Sequence, residues 1–216
     1  MSKDLNPEKA LIFRITHRDN VPWILSHGLH CRNSQNRNAF DPNYVEIGSP
    51  DLIQKRHHHP VQHAMGGTLG DYIPFYFTPF SPMLLNIKTG WNGIRQRPND
   101  EIVILVSSLR QLDDLGVPFL FTDMHAYMSA ARFFSNLDNL SEIDWDILQR
   151  RDFERDMNDL GKFDRYQAEA LVRGSLGLDG LRGVICYNGD VESRIAAWVE
   201  EANSSLKIIV RPAWYF

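Results

Sequence analysis

Glu101-Ile102-Val103-Ile104-Leu105-Val106 is the run on which the fold turns. Odd and even positions after Glu101 are both apolar, so the run reads as a strand buried on two faces of a central sheet. Downstream, Ser107-Ser108 cap a turn of helix with Leu109, Leu112 and Leu115 on one face, and Gly116 stops it. Val117-Pro118-Phe119-Leu120-Phe121 then returns as a strand whose proline marks an edge or a start. Upstream, residues 72–77 and 11–16 are rich in β-formers. Between them Asp19-Asn20 offer N-cap residues for a short helix through Val21, Trp23, Ile24 and Leu25 that ends at Gly28.

Residues 30–48, with five Asn/Gln, two arginines, a proline and a glycine, read as a long irregular segment of the kind that is often functional. Ser49-Pro50-Asp51 then predicts a helix start, with serine as cap and proline at the first helical position, that delivers Arg56 at its end. Residues 126–134 have helical character. Residues 141–164 mix charges around Ile143, Trp145, Leu148 and Phe153, the pattern of an exposed helical insertion. Residues 181–187 and 206–210 are the last strands, separated by a helix from Val191 to about Ala202.

These strands and helices interleave without evenly spaced βα units, which points to an α+β fold. No Gly-x-Gly-x-x-Gly or Gly-x-x-x-x-Gly-Lys-Ser/Thr occurs, so Rossmann and P-loop nucleotide binding are disfavoured. The 216 residues suit one domain, 1–216, with 141–164 as its insertion. A chain that is 43% hydrophobic and 23% charged is not a disordered one. No apolar run approaches the ~20 residues that span a bilayer, and the polar start lacks a secretory signal, so the expectation is a cytoplasmic protein without a membrane partner. Cys31 and Cys186 form no metal or redox motif and read as buried free thiols. The net charge of −4 is uneven: residues 1–110 hold 12 Lys/Arg against 9 Asp/Glu, and 111–216 hold 11 against 18. That leaves room for a local basic groove for phosphates and argues against sequence-blind coating of nucleic acid.

Arg56-His57-His58-His59, with His63 nearby, is the most conspicuous polar cluster. Adjacent histidines point in different directions, and no His-Glu-x-x-His or paired-cysteine element supports them, so solvated histidines are preferred to a metal site. No Gly-x-Ser-x-Gly elbow anchors a hydrolase triad. Four further segments place polar groups at the edges of apolar strands: Arg14-Ile15-Thr16-His17, residues 71–83, Phe121-Thr122-Asp123-Met124-His125-Ala126, and Tyr166-Gln167-Ala168-Glu169-Ala170-Leu171-Val172. Each alone has an ordinary reading, as a strand cap, a half-buried aromatic, a helix-entry residue or a surface carboxylate.

Together these segments resemble the DarT family, the toxin half of DarTG toxin–antitoxin systems, over about residues 9 to 215. The resemblance rests on Ile-Thr-His-x-x-Asn-x-x-x-Ile-Leu-x-x-Gly-Leu from Ile15 to Leu29, Pro-Phe-Tyr-Phe-x-Pro-x-Ser-Pro-Met from Pro74 to Met83, Phe-Thr-Asp-x-His-Ala from Phe121 to Ala126, and Gln167-Ala168-Glu169. The family departs at Phe80, where a basic residue is expected, at Met124, where glycine is common, and along His57-His58-His59, where arginine is frequent.

The resemblance implies a split-sheet ADP-ribosyltransferase-like fold with surrounding helices. It also implies an NAD-consuming, metal-independent transfer of ADP-ribose to a base of single-stranded DNA, with thymine the better-populated target and guanine used by a related branch. Glu169 and Arg56 are the implied catalytic residues. Glu169 accepts a hydrogen bond from the nicotinamide ribose and stabilises the cationic transition state, and Glu169→Gln is expected to collapse turnover with folding intact. Arg56 stabilises the deprotonated base, since its own pKa stays above ~12. NAD contacts are expected from Thr16, His17, Asn33, Arg56, Tyr72 and Tyr76, with Tyr72, Tyr76, Phe77 and Phe80 as a stacking wall. DNA contacts are expected from His125, Arg165 and Tyr166. A base atom used in pairing is inaccessible inside a duplex, which favours single strands. The implied partner is an antitoxin that removes the mark or blocks the enzyme. Two other readings stand beside this one: a transferase for RNA or a terminal phosphate, and a single-strand binding module without turnover.

Overall fold

The structure is a computed structural model and describes residues 2–35 and 43–216; residues 36–42 of the expected irregular segment lie outside the described residues. The buried run around Ile104 is strand β4 (Ile102–Ser108), all of whose residues are buried. The other strands are β1 (Leu11–His17), β2 (Leu29–His30), β3 (Tyr72–Tyr76), β5 (Phe119–Thr122), β6 (Phe133–Phe134), β7 (Glu169–Arg173), β8 (Ser175–Leu176), β9 (Gly183–Cys186) and β10 (Ile208–Val210). Eight of them form one sheet in the order β10-β9-β4-β1-β3-β7-β5-β6, while β2 and β8 form a separate two-stranded sheet. Every pair of the large sheet is antiparallel except β10 with β9. This is the α+β class expected.

The sheet is split at its middle. β1 pairs with β4 along its whole length, from Leu11↔Ser108 to His17↔Ile102, and β3 pairs with β7 from Tyr72↔Arg173 to Tyr76↔Glu169. Between β1 and β3 the ladder has one matched position, Phe13↔Tyr76. The backbone edges left apart there are bridged by Arg14, whose Nη1 donates to the Pro74 carbonyl at 2.8 Å.

Helix Val21–His27 ends at Gly28, whose φ of 75° suits glycine; a Cβ there would also lie 2.5 Å from the Leu176 carbonyl oxygen. Asn20 does not cap this helix through its side chain. Buried, it donates to Thr16 Oγ1 (3.0 Å) and the Val45 carbonyl (2.9 Å) and accepts from the Val45 N–H (2.8 Å), fastening residues 43–48 to the end of β1. Helix Pro50–His57 forms as its cap predicts, with the Ser49 hydroxyl accepting from the Leu52 N–H. Helix Gly189–Glu201 lays Val191, Ile195 and Val199 into the core. Cys31 and Cys186 are buried free thiols.

Three further expectations change. Residues 126–134 form no helix: a turn leads into β6, and its registers Phe121↔Phe134 and Thr122↔Phe133 make β6 the sheet edge. Long-range pairing to β5 overrides the local preference. Pro118 therefore marks a strand start, because β5 has neighbours on both sides. Residues 141–164 are exposed only in part: Ile143, Trp145, Ile147 and Leu148 are core residues and Trp145 meets Phe77 edge-on at 5.5 Å, while Met157 and Leu160 are 87% and 77% exposed. Part of the segment's charge is taken up in ion pairs, Lys162 with Asp152, and Asp144 and Asp159 with Arg165. Helix Leu109–Asp114 leaves Leu115 46% exposed, and the Ser108 hydroxyl donates to the Lys9 carbonyl instead of capping it.

Candidate active site

The split between β1 and β3 opens a cleft of about 1050 Å³, part of it open to solvent, of the size that suits a nucleotide-like ligand. Its walls are Arg14, Ile15 and Thr16 of β1 and Tyr72, Ile73, Pro74 and Tyr76 of β3. Residues 44–49 together with Leu52, Ile53, Arg56 and His57 close it on another side. Thr16 stands in the wall because Asn20 holds both its hydroxyl and the segment opposite it.

At the base of the cleft Glu169, the first residue of β7, is 2% exposed. A carboxylate there needs partners, and it has them. Arg56 Nη1 and Nη2 donate to Oε1 and Oε2 at 2.8 and 2.7 Å, a two-pronged ion pair across 113 residues of chain, and the Ala126 N–H donates to Oε1 at 3.0 Å. The Glu169 N–H donates to Thr122 Oγ1 (3.2 Å), whose hydroxyl donates to the Met124 carbonyl (2.6 Å). The turn that replaces the expected 126–134 helix thus delivers a main-chain donor to the carboxylate. His125 Nε2 lies 3.9 Å from Oε1.

Burial pushes the Glu169 pKa up, but Arg56, His125 and the Ala126 N–H outweigh it and hold the carboxyl below its ordinary value. His125 goes the other way: burial lowers its pKa against the pull of Glu169. Burial, reinforced by Glu169, pushes the Tyr76 phenol up to about 12. The site is therefore a buried carboxylate, a cation that stays charged, a neutral imidazole and a neutral phenol.

The structure brings Thr16, Arg56, Tyr72, Tyr76, His125 and Glu169 to the cleft. It does not bring the others there. His17 is buried beyond the wall, where its Nδ1 accepts from the Asp19 N–H (3.2 Å) and its Nε2 lies 3.4 Å from Glu101. Asn33 donates to Asp71 (2.7 Å) and Thr68 (3.2 Å) outside the lining. Arg165 is held by Asp144 and Asp159. Tyr166 is 0% exposed, its hydroxyl donating to the Phe80 carbonyl at 3.1 Å. Phe77 and Phe80 are core residues, Phe80 lying under the Arg151 guanidinium at 3.5 Å, so the stacking wall reduces to Tyr72 and Tyr76. Tyr72 lines the cleft but is 1% exposed, its hydroxyl donating to the Gly66 carbonyl (2.7 Å), which leaves Tyr76 as the more accessible ring. Sequence reasoning missed Arg14, Tyr44–Ile47 and the Ala126 N–H; an arginine inside an apolar strand was the available signal for the first. Among the described residues no three His, Cys, Asp or Glu side chains converge as metal ligands.

Residues 13–216 match the family model described as "ssDNA thymidine ADP-ribosyltransferase, DarT". The chain belongs to the DarT family. It is 53% identical over 215 residues to a DNA ADP-ribosyl transferase of Escherichia coli O127:H6, covering 100% of this chain and 97% of the relative. Two solved structures of Thermus sp. 2.9 DarT, each 30% identical, superpose on it. The complex with ADP-ribosylated ssDNA does so with a TM-score of 0.87, covering 97% of this chain and 98% of that one. The complex with NAD+ has a TM-score of 0.82, covering 97% and 99%. A Thermosipho africanus fusion of a DNA ADP-ribosyl transferase with a DNA ADP-ribosyl glycohydrolase is 24% identical over 213 residues, 97% of this chain and 50% of the fusion. The DarT family is one of NAD-dependent ADP-ribosyltransferases acting on single-stranded DNA, which agrees with a cleft that holds a buried carboxylate.

Proposed function

We propose that this chain transfers ADP-ribose from NAD to thymine in single-stranded DNA, as the toxin of a toxin–antitoxin pair. The observation that carries the reading is the buried Glu169–Arg56 pair at the base of the split-sheet cleft. An ionised carboxylate has about four lone-pair sites. Arg56 takes two and the Ala126 N–H a third, which leaves one for a ribose hydroxyl of NAD. As the nicotinamide–ribose bond breaks, positive charge grows on the ribose, and this fixed carboxylate stabilises that charge more than it does the ground state. Nicotinamide departs with the bonding electron pair, the base nitrogen bonds to the anomeric carbon, and the base proton passes to solvent. Arg56 retains three N–H groups beyond the two on Glu169, enough to hold a thymine carbonyl and the nitrogen anion beside it.

Thr16, Tyr72 and Tyr76 line the space for NAD, with Arg56 at its inner end, while His125 stands where a DNA base approaches. His17 and Asn33 act on NAD by holding the wall and its neighbouring loop. The family model's thymidine wording supports thymine over guanine. The fused glycohydrolase of the Thermosipho relative supports an antitoxin partner that removes the mark. No helix among the described residues is long and apolar enough to cross a membrane. The use of NAD and DNA as substrates supports a cytoplasmic site of action. Residues 1–216 act as one catalytic domain.

Incubation with NAD and mixed-sequence oligonucleotides, read by mass spectrometry, tests the reading. The expected result is one ADP-ribose on thymine of the single strand, with nicotinamide released in equal amount and the duplex left nearly unmodified. Modification of RNA or a terminal phosphate in preference, or DNA binding without nicotinamide release, overturns it.

A further inference from the structure

The segment that carries Arg56 and the turn whose Ala126 N–H binds Glu169 run on, past the cleft, to a second meeting point. Three residues after Arg56 comes His59, whose N–H donates to the Arg56 carbonyl at 3.2 Å. One residue after the Ala126 N–H that binds Glu169 comes Tyr127, whose own N–H donates to His125 Nδ1 at 3.2 Å. The His59 and Tyr127 rings are in contact, with centroids 4.5 Å apart and planes tilted by 44°. Both rings are half-buried, and neither lines the cleft. Tyr127 packs on a small apolar cluster that includes Val61, Leu69 and Ala126, so the pair has a firm base. No side-chain hydrogen bond among the described residues engages the His59 ring nitrogens or the Tyr127 hydroxyl.

We infer that His59 and Tyr127 form the platform on which the unpaired acceptor base stacks, beside Arg56 and outside the NAD cleft. This rests on the DNA-directed reading above and names residues for its acceptor side. A nucleobase presents a flat apolar face and a polar edge, and this pair offers aromatic faces with unclaimed donor and acceptor atoms at their rim. Alanine substitution under a stacked base weakens single-strand binding by about tenfold or more. The polar edges lie one and three residues from groups that touch the carboxylate, so a base stacked there comes within reach of Arg56.

The test compares Tyr127→Ala, Tyr127→Phe and His59→Ala with the unaltered chain. Modification of a mixed-sequence single-stranded oligonucleotide gives KM and kcat for DNA, and calorimetric titration gives the NAD dissociation constant. The expected result is a rise of tenfold or more in KM for the oligonucleotide in both alanine variants, with NAD affinity within twofold. Tyr127→Phe, which keeps the ring, should stay within threefold of the unaltered chain. His59→Ala removes a ring without touching the apolar cluster, so it decides the matter if Tyr127→Ala unfolds. A wild-type KM in His59→Ala, loss of NAD affinity in step with DNA, or a Tyr127→Phe as poor as Tyr127→Ala each overturns the inference. If the unaltered chain modifies DNA and the ring variants equal it, the platform alone fails. If the unaltered chain modifies no oligonucleotide, the proposed function fails.

Discussion

At the scale of single residues the Glu169–Arg56 pair serves the fold and the proposed chemistry at once, and the two roles predict different things. The Glu169 side chain is 2% exposed and that of Arg56 12%, so removing the carboxylate strands a guanidinium that water can barely reach. Breaking a buried pair from one side destabilises by about 3–5 kcal/mol. Glu169→Gln should therefore abolish turnover and also lower the melting temperature by several degrees, which revises the expectation from sequence that folding would be untouched. Replacing both partners leaves no orphan charge. The double variant Arg56→Met/Glu169→Gln should accordingly melt above Glu169→Gln alone while remaining inactive, as thermal denaturation and nicotinamide release would show. Arg56→Lys keeps the charge but loses the two-pronged geometry, and we expect at least a hundredfold loss of DNA modification with a smaller loss of stability.

At the scale of elements, what could be read from the chain was what is decided locally. The Pro50–His57 helix was legible because a serine cap and a first-turn proline act within four residues. β4 was legible because burial on both faces leaves no polar position from Ile102 to Val106. The 126–134 segment was not, since its backbone answers to β5 and to a carboxylate 43 residues further on. For the same reason His17 reads as a site residue in sequence and turns out to be a buried brace tied to Glu101 across 84 residues. Gly70 shows how tightly these elements are registered. A Cβ on it would lie 2.6 Å from Asn33 Oδ1 and 2.9 Å from the His57 carbonyl oxygen, so the end of the helix that carries Arg56 would have to shift. Gly70→Ala should cut DNA modification by about tenfold or more, because misplacing a catalytic group by about an ångström has that effect. Near-wild-type kcat in this variant would show that the helix end is free to adjust.

At the scale of the molecule, the shifted groups fall into two sets that bound the pH range of the fold. His17, His125 and His59 are all held below the ordinary histidine value, chiefly by burial. The unfolded chain therefore takes up these protons first, and stability that is complete above about pH 6.5 is lost as pH falls below it. Glu169, Asp71 and Glu101 are held low by their hydrogen-bonded partners against burial and withdraw further stability once pH falls through the carboxylate range. On the alkaline side burial pushes the Cys186 thiol up to about 11 and the Tyr76 and Tyr166 phenols up to about 12. The unfolded chain releases those protons earlier, so stability declines as pH rises past about 9. Melting temperature should thus hold a plateau between about pH 7 and 9 and fall on both sides. The acid arm has an internal control, because His125 is buried and faces Glu169, Arg56, Asp164 and His59. His125→Gln, which cannot take up a proton, should flatten the decline between pH 6.5 and 5 even if it lowers the plateau. A melting temperature that stays level from pH 7 to 5 in the unaltered chain would mean that these imidazoles titrate normally in the folded state.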